Sequence, residues 1–230
     1  MRVTGVLLAA GASTRFGSPK MLAPVPPDGR PMLAHVLETW RGAGFTEVLV
    51  VVGKDGNYLR ERVEEEFLRV KEGSSDAEPR EGMPGPLSAA APVLWVRNPD
   101  WESGMFSSVK MGFAAALRPH ESSTHLAVSP ADLPFLSRRS LRTTLDALRL
   151  PEAGSSKTIF VPTCGRRRGH PLVIPRELAE RVLTWPADAR LNRLFAEPDV
   201  TVLHLEGFDE TVLADVDRPA DLTGVRTGSA

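Results

Sequence analysis

The stretch Val6-Leu7-Leu8-Ala9-Ala10-Gly11-Ala12-Ser13-Thr14-Arg15-Phe16-Gly17-Ser18-Pro19-Lys20 decides the reading of this chain. Its apolar half has the length of a buried strand, and the glycine that ends it delivers a loop to a sheet's carboxyl edge, where open α/β sheets bind ligands. Gly11 and Gly17 let main-chain N–H groups close on an anion, while Arg15 and Lys20 supply positive charge. These are the properties of a phosphate-holding loop. The Walker loop needs Gly-Lys followed by Ser or Thr, yet Ser18-Pro19 separate Gly17 from Lys20. The dinucleotide fingerprint needs closer glycines opening directly into a helix. Neither fits, and the missing dinucleotide spacing makes an oxidoreductase the least favoured class of enzyme.

Beyond the loop, strand and helix patterns alternate. Pro31 to Trp40 has apolar residues at helical spacing, with Gly42 and Gly44 to end it, and Val48 to Val52 is a β-branched run of the fully buried kind. Asn57 is placed to cap a helix over Tyr58 to Val70. Residues 71–92 shift to Gly, Ser, Glu, Pro and Ala without any period and read as a mobile surface insertion, after which Val93-Leu94-Trp95-Val96 resumes the alternation. A helix starting near Gly104 carries Ser107 and Ser108 at its amino end, a position that attracts anions. Further strands are expected at His125 to Val128, Thr158 to Val161, Leu172 to Ile174, Val200 to Leu205 and Val212 to Ala214. Further helices are expected after Ser137, at Arg176 to Leu183 and at Arg190 to Phe195. This order predicts an α/β fold, a doubly wound and mostly parallel sheet in three layers, within one domain over 1–230.

Composition narrows the partners. A formal net charge of −1 over 230 residues argues against a nucleic-acid groove or a membrane-binding surface, and Arg166-Arg167-Arg168 is the single basic triplet. One cysteine, Cys164, allows neither an intramolecular disulfide nor a cysteine-cluster metal site, which fits a cytoplasmic location. Met1-Arg2 before an apolar segment and Ala10-Gly11-Ala12 superficially resembles a secretion signal, but the segment is short and a single basic residue precedes it.

Two carboxylates stand out. Asp132 follows a hydrophobic strand and is bracketed by Pro130 and Pro134, at the ligand edge of such a sheet. Asp215 and Asp217 alternate along an extended segment near the carboxyl terminus and are expected to share a side. Carboxylates from distant parts of the chain, together with a bound triphosphate, make an oxygen-rich site suited to Mg²⁺. Taken singly, each aspartate also fits a helix or turn cap.

The loop Leu8 to Lys20 resembles, at every fixed position, the nucleotidyltransferase pattern L-A-(A/G)-G-x-S-x-R-(M/F)-G-x-x-K. With Asn98 to Gly112, Ala131-Asp132-Leu133-Pro134, Gly169-His170-Pro171 and Asp215-Val216-Asp217-Arg218-Pro219, the chain is similar nearly end to end to the molybdenum-cofactor nucleotidyltransferases. The similarity is greatest to the branch that moves CMP onto molybdopterin. It departs from the pattern at Ala131, where the family has Gly; at Arg218, where it has Thr; and at Asp188-Ala189-Arg190, where Gly-Ala-Arg is expected.

The resemblance implies a Rossmann-like nucleotidyltransferase fold and Mg²⁺-dependent transfer from CTP to the phosphate of molybdopterin, releasing pyrophosphate. It implies catalytic roles for Lys20, Arg15 and Asp132, Mg²⁺ ligation by Asp132 and Asp217, and nucleotide binding by Leu8, Ala9, Ala10, Gly11, Ser13, Arg15, Lys20, Ser107 and Ser108. Acceptor binding falls to Gly169, His170 and Arg190, and a molybdoenzyme or chaperone is the implied protein partner. Ala10 stands where the guanylyl branch has Gly, and its methyl narrows the base pocket in favour of a pyrimidine. The competing readings are transfer to a sugar or polyol phosphate, which would use the same loop and carboxylates, and a nucleotide-binding module without turnover. Trp101, Met105 and Phe106 are candidates to cover a flat acceptor ring, against a default of core packing.

Overall fold

The computed structural model describes residues 1–11, 16, 18–73, 90–119, 122–150 and 155–224. Ser13, Arg15, Gly17 and residues 74–89 of the expected insertion lie outside them. The strands are β1 (Val3–Ala9), β2 (Pro24–Val25), β3 (Arg30–Pro31), β4 (Glu47–Val52), β5 (Val93–Arg97), β6 (His125–Pro130), β7 (Thr158–Cys164), β8 (Arg167–Arg168), β9 (Leu172–Pro175) and β10 (Thr201–Leu205). The helices are α1 (Met32–Arg41), α2 (Gly56–Gly73), α3 (Met105–Ala116), α4 (Arg138–Asp146), α5 (Arg176–Leu183) and the short α6 (Asp221–Gly224). The main sheet runs β10-β7-β9-β6-β1-β4-β5, with β8 paired to β7. Strand β9 is antiparallel to both neighbours, and the other pairs along the path are parallel. The path from β7 through β8 to β9 is too short for the crossover a parallel strand would need.

The central strands are mostly apolar because both of their faces are covered. On one face Leu7, Val48, Val50, Ala127 and Phe160 join a core with Met32, Leu33, Leu37 and Trp40 of α1 and Leu141 of α4. On the other, Val6, Leu49, Val51, Leu126 and Val128 pack with Phe113 of α3 and Leu178 and Val182 of α5. This gives helix, sheet and helix layers, as the unbroken β-branched runs predict. Helix α3 lies unusually close to the sheet at Gly112, where a Cβ would come within 2.5 Å of Val6 Cγ1 and 3.0 Å of Val51 Cγ2. That approach helps bring the α3 amino end over the carboxyl ends of β1 and β4.

From β1 the chain runs to β4 and β5 on one side, then returns to β6 on the other. Connections therefore leave β1 and β6 in opposite directions, opening a crevice at their carboxyl ends.

Three expectations need correction. Val212 to Ala214 forms no strand: Glu210–Val212 is a 3-10 turn, opened by the Asp209 carboxylate accepting from the Thr211 amide at 3.0 Å. Arg190 to Phe195 forms a 3-10 run, Leu191–Ala196, instead of an α-helix. Asn57 does not cap α2, which already begins at Gly56.

Candidate active site

Three residues remote in sequence meet at the crevice. Lys20 opens a 3-10 turn after the loop and is only 7% exposed. Its Nζ donates to Asp132 Oδ2 at 2.7 Å and to Asp217 Oδ1 at 3.2 Å. Asp132 follows β6, held where the Ala131 amide donates to the Leu8 carbonyl at 3.0 Å. Asp217 is brought in by a backbone bond, Val216 N to Asp132 O at 2.9 Å, and the Asp221 carboxylate accepts from the amides of Asp217 and Arg218. Asp215 does not share this position: it is exposed, and only Asp217 of the pair lines the cleft.

A cleft of about 410 Å³ surrounds this trio, lined by Leu8, Ala9, Ala10 and Gly11 from the strand end and by Trp101, Gly104 and Ser108 opposite. The expected nucleotide-binding residues within the described part of the loop thus face one space. Ser107 does not line it. Its hydroxyl donates to the carbonyls of Asp100 and Gly104 and accepts from Asn98 Nδ2, which also donates to Ser108 Oγ at 2.9 Å. Asn98, 1% exposed, therefore orients both serines. Sequence pattern alone did not single it out, although a polar residue directly after a strand at the ligand edge was the available signal.

A second pocket of about 680 Å³ adjoins the first and shares Leu8, Gly104, Met105 and Pro130 with it. It holds Gly169, His170 and Arg190, the three residues expected to bind acceptor. Trp101 belongs to the first pocket and Phe106 to the second, so the aromatic residues expected over an acceptor ring divide between the two. Phe106 is backed by Trp185, stacked at 6.4 Å between ring centroids.

Burial pushes the His170 imidazole below its ordinary value, which favours the neutral ring; the charges of Asp132 and Asp215 and a hydrogen bond with the Val128 backbone oppose this. Its Nδ1 is buried and finds no hydrogen-bond partner among the described residues. At Gly169 a Cβ would meet the Val212 carbonyl oxygen at 2.6 Å. Glycine here lets the segment that carries Asp217 lie against the β8–β9 connection.

Among the described residues no group of three or more His, Cys, Asp or Glu side chains is placed to hold a metal. The smaller donor set still suits Mg²⁺. Asp132 Oδ1 is buried with no partner among the described residues, while Asp132 Oδ2 and Asp217 Oδ1 lie close enough together to share one ammonium. Two carboxylates plus substrate phosphates are the donors that ion ordinarily takes. No helix among the described residues is long and apolar enough to cross a membrane.

Known proteins resemble the chain throughout. The model of the family described as MobA-like NTP transferase domain matches residues 5–202. Nicotine blue oxidoreductase of Paenarthrobacter nicotinovorans is 32% identical over 219 residues, covering 94% of this chain and 92% of that protein. A Methanothermobacter nucleotidyl transferase superposes with a TM-score of 0.69 at 19% identity, covering 96% of this chain and 94% of its own. Rv0371c of Mycobacterium tuberculosis, in complex with manganese, superposes at 0.62 with 21% identity over 98% of this chain and 100% of that one. These two structures share the fold described above.

Proposed function

Because the chain belongs to the MobA-like NTP transferase domain family, we propose that it transfers CMP from CTP to the phosphate of a molybdopterin-type acceptor. The observation that supports this reading is the meeting of Lys20, Asp132 and Asp217 in a cleft that adjoins a larger, more apolar pocket. One space suits a nucleotide and the other an acceptor, with the charged trio near their junction.

The reaction is in-line attack by an acceptor phosphate oxygen on the α-phosphorus. A new P–O bond forms, the bond to the bridging oxygen of the β-phosphate breaks, and pyrophosphate leaves. The attacking oxygen is already ionised at neutral pH, so positioning and charge neutralisation suffice without a general base. Asp132 and Asp217 would hold the Mg²⁺, which when bound neutralises charge on the triphosphate. Lys20, which lines the same cleft, would set its positive charge beside the phosphates. Arg15, on the same loop, adds positive charge. Ser108 offers a hydroxyl to the nucleotide, and His170 donates to or accepts from the acceptor.

Ala10 carries the base preference. It is 8% exposed in the wall of the first pocket, and its methyl disfavours a purine there. One methyl decides about 1–3 kcal/mol, enough to set an order between CTP and GTP.

The 32% identical relative, named nicotine blue oxidoreductase, supplies a second reading, oxidation or reduction of a dye-like substrate in the apolar pocket. One panel separates the readings. Purified protein is given Mg²⁺, α-labelled CTP or GTP, and molybdopterin or a sugar or polyol phosphate; in parallel, NADH or NADPH is followed with a heteroaromatic dye. Label in molybdopterin from CTP, with pyrophosphate released, is the expected result. Reduced-nicotinamide oxidation without label transfer would replace this proposal with the second reading.

A further inference from the structure

The second pocket has an apolar interior and a cationic edge. Val109, Val128, Val161 and Leu172 form walls, whereas Arg168 and Arg190 bring positive charge, partly offset by Asp188. Arg168 comes from β8 and Phe195 from the 3-10 run Leu191–Ala196, so they reach the pocket from separate elements. They meet there, with the guanidinium carbon 4.1 Å from the centroid of the Phe195 ring.

The contact is informative because of what Arg168 lacks. Arg176, Arg181 and Arg193 each sit against a carboxylate on the surface nearby. Arg168 makes no ion pair among the described residues, and its polar contact is with an aromatic face. A guanidinium resting over a ring uses none of its N–H donors on a carboxylate there, so they stay able to grip a carboxylate, sulfonate or phosphate. Arg168 and Phe195 line the second pocket only, away from the part shared with the cleft of Lys20, Asp132 and Asp217.

We infer that Arg168, held beside Phe195, is a specificity-determining residue that recognises an anionic group of the acceptor other than its transferring phosphate. This rests on the second pocket being the acceptor side. The acceptor class is then a molecule with two anionic groups, its transferring phosphate toward Asp132 and Asp217 and the second anion at Arg168. All three arginines of the basic triplet are exposed, and Arg168 is the one of them that lines the pocket.

Two fluorescent probes test this without requiring turnover. Anilinonaphthalene sulfonate has an apolar body with one anionic group, and N-phenyl-1-naphthylamine is its uncharged counterpart. Titration of both into the wild-type chain and the Arg168→Ala, Arg168→Lys and Arg166→Ala variants compares charge with packing. Loss of one charge-assisted contact should weaken the sulfonate about tenfold in Arg168→Ala. The uncharged probe should change less than about twofold on the same basis, with Arg168→Lys intermediate for the sulfonate and Arg166→Ala equal to wild type. Equal weakening of both probes would reduce Arg168 to a packing residue, and an equal effect of Arg166→Ala would reduce it to diffuse surface charge; either overturns the inference. Failure of the nucleotidyltransferase reading is seen separately, as absence of CMP transfer by the wild-type chain.

Discussion

Two ion-pair clusters lie at different places in this fold, and the better-formed one is the less interesting. On the surface, Arg181 grips Asp199 with two bonds of 2.9 Å while Lys157 approaches the same carboxylate at 3.0 Å. In the crevice, Lys20 reaches Asp132 at 2.7 Å and Asp217 at 3.2 Å. The surface cluster is paired oxygen for oxygen and bathed in water, where such pairs contribute little. The crevice cluster is part-buried, has two carboxylates on one ammonium and leaves Asp132 Oδ1 without a partner among the described residues. Good geometry marks a satisfied pair. A part-buried group of charges at a topological switch point is the arrangement that invites a ligand.

The contrast can be broken by experiment, beginning with the largest effect. Lys20→Ala should lower turnover by about 100-fold or more, as loss of one preorganised electrostatic partner does, measured as pyrophosphate release at saturating CTP. Gly169→Ala should disturb the crevice from behind, because its Cβ would strike the Val212 backbone. We expect a stability loss of roughly 1–3 kcal/mol by denaturant titration, with weaker metal-dependent activity as Asp217 shifts. Ala10→Gly should raise GTP use relative to CTP by roughly tenfold in competition, with the fold unchanged.

Asp199→Asn should have the smallest effect and leave turnover intact. Hydrogen bonds from Arg181 and Lys157 hold the Asp199 carboxyl below its ordinary value of 3.8. A group whose pKa is depressed on folding contributes stability above its unfolded value and loses that contribution as the pH falls through the folded one. Any excess in melting temperature of wild type over Asp199→Asn should therefore be present at neutral pH, shrink below 3.8 and weaken with added salt. A turnover loss in Asp199→Asn comparable to that in Lys20→Ala would erase the distinction between the two clusters.

How much of this was legible in the sequence differs by element. Val48 to Val52 announces itself because a strand covered on both faces has no polar positions, and each of its residues is buried. The places of Lys20 and Asp132 at the ligand edge of the sheet were legible because charge next to a strand end is a local feature of sequence. Val212 misleads: its apolar side chain is buried, but the Asp209 cap sets the segment into a 3-10 turn. The partition of the pocket walls was hidden for a different reason. Asn98 acts through hydroxyls on another element, and Arg168 through a ring 27 positions along the chain, so neither role leaves a periodic trace.

The account depends most on Asp132, whose carboxylate faces Lys20 and the proposed ion together. The direct measurement is transfer of label from α-labelled CTP to molybdopterin by wild type and Asp132→Asn across a Mg²⁺ titration, with circular dichroism to verify folding of both. The account predicts Mg²⁺-dependent transfer by wild type and a loss of about 100-fold or more in the folded variant. A folded Asp132→Asn that transfers label at the wild-type rate with the same Mg²⁺ dependence would contradict it.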